Sequence, residues 1–440
     1  MSGTQEETVK SALKLCLNVV KSYEWLLDLY VLDFFVDNHW MKLPKLWRDA
    51  FSKMDPQDLG NILIGKEMKH ILPLSFLSLL KCISSLSIPR YGTSEYKNTP
   101  ITAENVCGNH PKLNNLFLKH VKLKKRHEIS LMSDFVYHTA KQCECNGVLD
   151  FGSGLGHLVR ILTYKYNLST MGIEMQTKLS EEARKLDLEL EYTVKKYMSE
   201  ESISKLLRPI HFNITLSSLD QLNEISLSKD LHNYGLIGLH PCGDLGPLLI
   251  KHFLSSEKVR FICVVGCCYM KLSSNSGYPM SIYAKSRDSH LSYVSREIAC
   301  HAIEAYTQKL CKGDYKYLKV HAYRAALEKL LIQTDPTLKH MPIRSVKHTQ
   351  NMTFESYCTA ALEKLSYQTL YDENIEEDLK QWKQVVVLYT LRLMLAPLVE
   401  TVILLDRMLY ILEHGISCEI YPVFDPKISP RNHIIVGRKT

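Results

Sequence analysis

Residues 148–176 decide the fold, and they begin Val148-Leu149-Asp150-Phe151-Gly152-Ser153-Gly154-Leu155-Gly156-His157 and close on Gly172-Ile173-Glu174-Met175. An apolar strand ends at Asp150, three alternating glycines follow, and a helix-period run begins at Leu158. A second short strand, 170–173, ends at Glu174. The order strand, glycine turn, helix and strand predicts one βαβ unit, and ligands bind outside the carboxyl ends of such strands.

The acidic residues around the glycine turn indicate which ligand the unit binds. A dinucleotide loop reads G-x-G-x-x-G and holds a pyrophosphate at a helix N-terminus. Here the glycines are Gly152, Gly154 and Gly156, so the third comes one residue early, and Asp150 stands two residues before the first. A carboxylate at that position repels a pyrophosphate but favours a cationic ligand without phosphate, such as S-adenosylmethionine. Glu174 stands where a carboxylate accepts both ribose hydroxyls. The sequence predicts an S-adenosylmethionine site; the alternatives are a degenerate NAD site and an unrelated glycine turn.

The alternation of strand and helix continues after this unit. Further strands are predicted at 212–216, 235–239 and 260–265, and helices at 178–185, 246–254 and 398–412. Asp220, shortly past the third strand, is a further candidate for cofactor binding. Segments 417–424 and 433–436 flank a turn-rich stretch and predict a terminal hairpin. Five βα units followed by a hairpin predict an α/β fold, the Rossmann-like sheet of class I methyltransferases.

The segments outside this pattern predict the domain organisation. Residues 5–90 are helical in period and contain no glycine-rich loop, and residues 273–384 interrupt the sheet with mostly helical sequence. We therefore expect an N-terminal helical domain at 1–110, the first part of the methyltransferase core at 111–272, a mostly helical insertion at 273–384, and the last helix and hairpin of the core at 385–440.

The amino-acid composition limits the class of protein and the cellular compartment that we expect. The 440 residues carry a formal net charge of +7, which permits a nucleic-acid partner without demanding one. Thirteen scattered cysteines do not form a disulfide framework in a chain of this length and indicate a reducing compartment, cytoplasmic or nuclear. The first residues are acidic, without the apolar core of a secretory signal. The longest apolar run, 385–412, contains charges and Pro397, which predicts two core helices and no membrane partner. Oligomeric state is not predicted.

A basic helix is predicted directly before the first strand. The segment 116–138 has helical period and carries a run of cations. A basic helix beside a ligand-binding crevice predicts contact with nucleic acid, and the alternative is an ordinary solvated face. The cations are Lys119, Lys122, Lys124, Lys125 and Arg126.

Two further strand ends carry candidate catalytic residues. His240-Pro241-Cys242-Gly243-Asp244 follows the fourth strand, and Gly266-Cys267-Cys268-Tyr269-Met270-Lys271 follows the fifth. In a doubly wound sheet these ends lie beside the glycine loop. His240, Asp244 and Tyr269 are candidates for accepting or positioning a proton, and Cys242 and Cys268 for acting as nucleophiles. An alternative reading of this region is a zinc tetrad formed by His240, Cys242, Cys267 and Cys268, but adjacent cysteines without a C-x-x-C motif do not favour one. No metal is predicted.

Several segments together resemble the methyltransferase-like family sometimes named ribosomal-RNA-adenine-dimethylase-domain-containing. The resemblance implies a class I, S-adenosylmethionine-dependent methyltransferase over nearly the whole chain. An adenine N6 dimethylase carries an N-x-P-aromatic motif after the fourth strand, whereas this chain has His-Pro-Cys-Gly-Asp, which argues against adenine dimethylation. The H-x-C-G and C-C pairs resemble transfer-RNA 2′-O-methyltransferases more locally. The segments are 40–44, 124–128, 150–156, 240–245, 267–272, 296–301 and 425–432.

RNA is therefore the predicted substrate, with a 2′-hydroxyl favoured as the methylated group. Enzymes of one 2′-O type, by resemblance, place a Lys before the first strand, an Asp after the fourth, a Lys after the fifth and an acid after the sixth. Lys125 (or Lys124), Asp244, Lys271 and Asp425 occupy those places here. The alternatives are an RNA cytosine-5 methyltransferase using two of the thiols, a protein methyltransferase, and a catalytically silent binding module.

Overall fold

The computed structural model of the chain describes residues 2–66, 70–92, 121–215, 220–221, 233–313, 315–346, 352–363 and 374–439. The chain forms two compact units. The first takes Met1–Lys14, Ile88–His290 and Val402–Thr440, and the second takes Leu15–Ser87 and Leu291–Thr401. The predicted boundaries after residues 110, 272 and 384 stay predictions.

A seven-stranded sheet organises the first unit, with the order β3-β2-β1-β4-β5-β7-β6. β1 to β5 run parallel, and β7 lies antiparallel between β5 and β6. The predicted α/β fold with five parallel strands and a terminal hairpin is confirmed. The strands are β1 (Gly147–Phe151), β2 (Ser169–Glu174), β3 (Ile210–Asn213), β4 (Tyr234–Leu239), β5 (Val259–Val265), β6 (Ser417–Pro422) and β7 (His433–Arg438).

The third strand ends earlier than its predicted range of 212–216. Its last residue, Asn213, donates its side-chain amide to the backbone carbonyls of Glu174 and Met175, both at 3.1 Å. These bonds tie the chain to the end of β2 and turn it out of the sheet. Residue 216 lies outside the described residues.

The winding of the sheet reverses beside β1. β1 pairs with β2 on one side and with β4 on the other, in parallel register. The loops that leave the carboxyl ends of β1 and β4 therefore open into one crevice, the place where ligands bind in such sheets. The amide of His240, just past β4, donates to the carbonyl of Val265 at 3.1 Å, so the loops after β4 and β5 also start side by side.

Helices cover the sheet because their apolar faces need burial against its apolar strands. In one core cluster Met132, Val136, Leu158 and Leu162 pack with sheet residues such as Val148. The helix predicted at 116–138 is observed at 123–142, and residues 113–120 lie outside the described ones. The helices of this part of the chain are α7 (Leu123–Gln142), α8 (His157–Tyr164), α9 (Thr177–Val194), α10 (Glu200–Ser204), α11 (Leu245–Ser255) and α12 (Ile282–Lys285), after α1 to α6 given below.

The second unit is helical. Its buried Arg392 donates to the carbonyl of Leu27 through Nε and Nη2, at 3.1 and 3.0 Å, so this buried charge has a backbone acceptor. The remaining helices of the described residues are α1 (Ser2–Ser22), α2 (Glu24–Leu27), α3 (His39–Lys42), α4 (Lys45–Phe51), α5 (Pro56–Leu63), α6 (Leu74–Leu86), α13 (Tyr293–Ile298), α14 (Ile303–Cys311), α15 (Tyr315–Thr334), α16 (Phe354–Leu362), α17 (Ile375–Lys380), α18 (Trp382–Leu393) and α19 (Ala396–Leu412).

Helices α18 and α19 contain the most apolar sequence. Trp382–Leu412 is long and apolar enough to cross a membrane by length and composition alone, but 89% of its most apolar window is buried inside the protein. Burial of that extent is what the core helix of a soluble protein shows.

Candidate functional site

The loop after β1 forms an open cradle made of backbone. Gly152, Gly154 and Gly156 all have left-handed φ angles, of 73°, 56° and 67°. Glycine adopts this conformation without the steric cost that a Cβ brings. No atom would lie within 4 Å of a Cβ added at Gly152 or Gly154, so a ligand can approach the backbone there closely.

The third glycine closes the loop against the sheet. A Cβ at Gly156 would stand 2.4 Å from Cε1 of His211 on β3. Asp187 holds His211 in place, because it accepts from His211 Nε2 at 2.7 Å and from Arg160 Nε at 2.6 Å. The sequence alone does not reveal the contacts among Arg160, Asp187 and His211, because these residues lie far apart along the chain.

Asp150 lies at the end of β1, below the cradle, and only 3% of it is exposed. Burial raises the pKa of the Asp150 carboxyl to about 8, the charge of Lys125 lowers it, and the charge of Glu174 raises it. A cationic ligand group beside Asp150 would favour its ionised form.

Glu174 ends β2 and faces the same loop. Its carboxylate accepts from the amide of Gly154 at 2.9 Å and from the amide of Gln176 at 3.0 Å. Each carboxylate oxygen keeps acceptor capacity for a ligand hydroxyl. An open glycine cradle between two buried acids fits S-adenosylmethionine: Asp150 would hold its ammonium and Glu174 its ribose hydroxyls. Asp220 is exposed, and its neighbours 216–219 and 222–232 lie outside the described residues, so its role stays a prediction.

His240 and Glu128 form a dyad across the crevice. His240 follows β4 with a left-handed φ of 66°, and its Nε2 lies 3.0 Å from Oε1 of Glu128 on α7. Burial raises the pKa of Glu128, but hydrogen bonds from His240 and Ser429 and the charges of His240 and Lys124 outweigh it and lower the pKa to about 2. Glu128 is therefore ionised, and Nε2 of His240 donates to it. Nδ1 of His240 is buried and has no hydrogen-bond partner among the described residues.

The cysteines after β4 and β5 meet. Sγ of Cys242 lies 3.4 Å from that of Cys267 and 3.2 Å from that of Cys268, and the last two are 3.4 Å apart. Hydrogen bonds from Cys267 and Cys268, with the charges of Lys271 and His240, lower the pKa of Cys242 to about 5, against the effect of burial. The pKa of Cys267 is raised, first by its hydrogen bond with Cys242. The three thiols therefore behave as one group in which Cys242 ionises first.

The two acids of the proposed 2′-O set have local hydrogen-bond partners, and its two lysines are exposed. Asp244 accepts from the amide of Ser273 at 2.8 Å and from Oγ of Ser276 at 3.0 Å, so it holds the turn after β5. Asp425 accepts from the amide of Lys427 at 2.9 Å and so initiates its own turn. Lys271 and Lys125 are both exposed. Each acid thus has a local structural task.

Tyr269 lies in the core and not at the crevice. It is 1% exposed, and the guanidinium of Arg407 stands 5.7 Å from its ring centre. Its hydroxyl is therefore badly placed to serve a substrate, and the ring supports Arg407 instead. Arg407 and Glu128 are residues that sequence reasoning did not single out. In the sequence, Arg407 is a charged residue inside the most apolar segment, and Glu128 is an acid inside a run of basic residues.

The strand order and the acid-flanked glycine loop define a class I, S-adenosylmethionine-dependent methyltransferase domain. Residues 124–275 match the family model described as "Methyltransferase domain". The methyltransferase part of the predicted resemblance is confirmed, and S-adenosylmethionine is the cofactor of this domain. The family model and the curated relatives described below do not confirm the name ribosomal-RNA adenine dimethylase.

Curated relatives extend beyond this chain. It is 29% identical to the probable methyltransferase-like protein 25 of Mus musculus, over 54% of this chain and 42% of that protein. It is 28% identical to the Homo sapiens protein of the same name, over 56% and 43%. The chain thus spans less than half the length of these relatives in the matched region. A solved plantazolicin methyltransferase with bound S-adenosylhomocysteine is 10% identical, with a TM-score of 0.22, over 63% of this chain and 89% of that one.

Proposed function

We propose that this chain is an S-adenosylmethionine-dependent methyltransferase that acts on RNA and methylates a ribose 2′-hydroxyl. The observation that carries methyl transfer is the open glycine cradle between the carboxylates of Asp150 and Glu174. Bound there, S-adenosylmethionine supplies an electrophilic methyl group on its sulfonium. The chain's own task is to hold the acceptor against that methyl and to remove its proton.

The dyad of His240 and Glu128 suits an acceptor that must lose a proton. Glu128, ionised and buried, accepts from Nε2 of His240 and so fixes the ring and its tautomer. No described residue hydrogen-bonds to Nδ1, the other ring nitrogen. A base oriented by a carboxylate in this way takes the proton of a hydroxyl group in many enzymes. His240 therefore replaces the 2′-O set as the proposed base.

The first turn of α7 supports RNA as the substrate class. Lys122, Lys124, Lys125 and Arg126 are all exposed there. The charge of Lys125 lowers the pKa values of both Asp150 and His157, so its electrostatic influence reaches the cofactor loop. Exposed cations beside a catalytic crevice attract a phosphate backbone. Together with the net charge of +7, this favours RNA over a protein substrate.

The proposal is tested by supplying the purified protein with S-adenosylmethionine labelled in its methyl group and with RNA or protein from cells lacking the gene. We expect label in RNA, recovered as a 2′-O-methylnucleoside by mass spectrometry, and less transfer by the Asp150→Ala variant at S-adenosylmethionine concentrations that do not saturate it. Label in the protein fraction alone would contradict the substrate class. The absence of transfer to any fraction would support a silent binding module.

A second test concerns the cytosine-5 alternative, which requires a cysteine to attack the base covalently. RNA containing 5-azacytidine traps such an enzyme as an adduct that survives denaturation. We expect no adduct, because the sulfur atoms of Cys242, Cys267 and Cys268 are engaged with one another. An adduct that disappears in Cys242→Ser but persists in Cys82→Ser would replace our assignment with cytosine-5 methylation.

A further inference from the structure

Three cysteine sulfurs converge at the carboxyl ends of β4 and β5. Their mutual distances of 3.2, 3.4 and 3.4 Å describe a nearly equilateral triangle. In a tetrahedral zinc centre with Zn–S bonds of about 2.3 Å, sulfur atoms stand roughly 3.8 Å apart. Each sulfur of Cys242, Cys267 and Cys268 would therefore move outward by only a few tenths of an ångström to hold an ion.

The backbone supports this triangle. Cys242 follows β4, while Cys267 and Cys268 follow β5, and these two strands are neighbours in the sheet. The bond from the His240 amide to the Val265 carbonyl, at 3.1 Å, sets the starts of the two loops side by side. Ligands held on adjacent rigid strand ends are preorganised for a metal, in a way that spacing along the chain does not reveal.

A buried guanidinium lies beside the loop that carries two of the thiols. Arg407 is 2% exposed, and its Nε and Nη1 atoms are buried without a hydrogen-bond partner among the described residues. Its neighbour Asp406 directs its carboxylate to the amides of Met280 and Ser281 instead, at 2.7 and 2.9 Å. Nη1 of Arg407 would lie 2.6 Å from a Cβ added at Gly266, the residue before Cys267, so the guanidinium stands against the loop that carries two of the thiols.

Zinc bound by three thiolates carries one net negative charge, which one guanidinium balances. Burying a charge without a partner costs several kcal/mol in general, so Arg407 favours an anionic centre in this loop. A metal–thiolate centre would place that charge on the loop against which the guanidinium of Arg407 lies.

We propose that Cys242, Cys267 and Cys268 bind a divalent cation that prefers sulfur ligands, and that this cation is zinc. Soft sulfur ligands select zinc over magnesium or calcium. Three protein ligands with a fourth position open are typical of catalytic rather than purely structural zinc. Cys242 is the exposed corner of the triangle, so the site is accessible to solvent at that corner.

The test is zinc uptake by the full chain, purified under reducing conditions and stripped with a chelator. We expect one zinc ion per chain by elemental mass spectrometry. We also expect that cobalt(II) in its place gives the sulfur-to-metal charge-transfer absorption of thiolate ligation. The single variants Cys242→Ser and Cys268→Ser should lower zinc affinity at least about 100-fold, more than the loss of an outer-shell group costs.

Cys82→Ser is the matched control, since Cys82 is a half-buried cysteine outside the triangle, and it should bind zinc as the wild type does. Circular dichroism verifies that each variant is folded, and S-adenosylhomocysteine binding, measured on the same samples, reports the cofactor site separately. No zinc uptake by the wild-type chain, or equal uptake by Cys242→Ser and the wild type, would overturn the metal site and leave the proposed methyl transfer standing.

Discussion

Replacing His240 with alanine is expected to lower kcat for RNA methylation by about 100- to 10,000-fold, the usual contribution of a general base. The loss follows because the acceptor hydroxyl then keeps its proton as the methyl approaches. KM for S-adenosylmethionine should not change, since His240 follows β4 and the cofactor loop follows β1. The measurement is the initial rate on the RNA fraction that accepts label. His290→Ala, which removes an exposed histidine, is the matched control.

A second variant separates the base from its positioning residue. Glu128→Gln keeps the shape of the side chain but removes the charge that His240 donates to, at 3.0 Å. We expect a fall in kcat of at least about 10-fold. KM for S-adenosylmethionine should stay unchanged, because Glu128 lies on α7 and contacts His240 rather than the glycine loop. Wild-type rates in His240→Ala would remove the dyad from the mechanism.

Asp150→Ala is expected to weaken binding of S-adenosylhomocysteine by about 1.5 to 3 kcal/mol, or roughly 10- to 150-fold in Kd. The reason is the loss of a charge-assisted hydrogen bond from the ligand ammonium to a buried carboxylate. Calorimetric titration measures the change. Asp150→Asn is the closer variant, since it keeps the volume and removes only the charge.

The pH dependence of that binding tests the same carboxyl more closely. Burial raises the pKa of Asp150 to about 8, so in the free protein the carboxyl is mostly protonated below that pH. An ammonium selects the ionised form, so binding releases a proton and affinity rises with pH. The rise should approach about tenfold per pH unit in the range of about 6 to 7. Asp150→Asn has no proton to release, and equal slopes in the two proteins would contradict this role.

The sheet and the cofactor loop were predictable because their signals are local. Apolar runs mark the strands, and the glycines that leave β1 need left-handed backbone, which all three adopt. The role of Glu174 could be predicted because the acid at the end of the second strand follows the glycine loop at a characteristic number of residues. Such features depend on neighbours in the sequence, and little in the tertiary structure overrides them.

The proposed catalytic groups were harder to predict because their partners are distant in sequence. Glu128 lies 112 residues before His240, inside a run of cations that suggested only a basic surface. Asp244 lay in the right order for a 2′-O set, but the turn after β5 folds back and takes its carboxylate through Ser273 and Ser276. Chain order predicts which loops meet and not which side chains within them do.

The central claim, that the loop after β1 binds S-adenosylmethionine, is tested most directly by calorimetric titration of the purified chain with S-adenosylhomocysteine and, separately, with NAD. Asp150 and Glu174 flank the loop; the charge of Glu174 disfavours a pyrophosphate, while both acids suit a cationic ligand with a free ribose. We predict saturable binding of S-adenosylhomocysteine at one site and no binding of NAD at the same concentrations. Tight binding of NAD, or no heat with S-adenosylhomocysteine, would contradict the account.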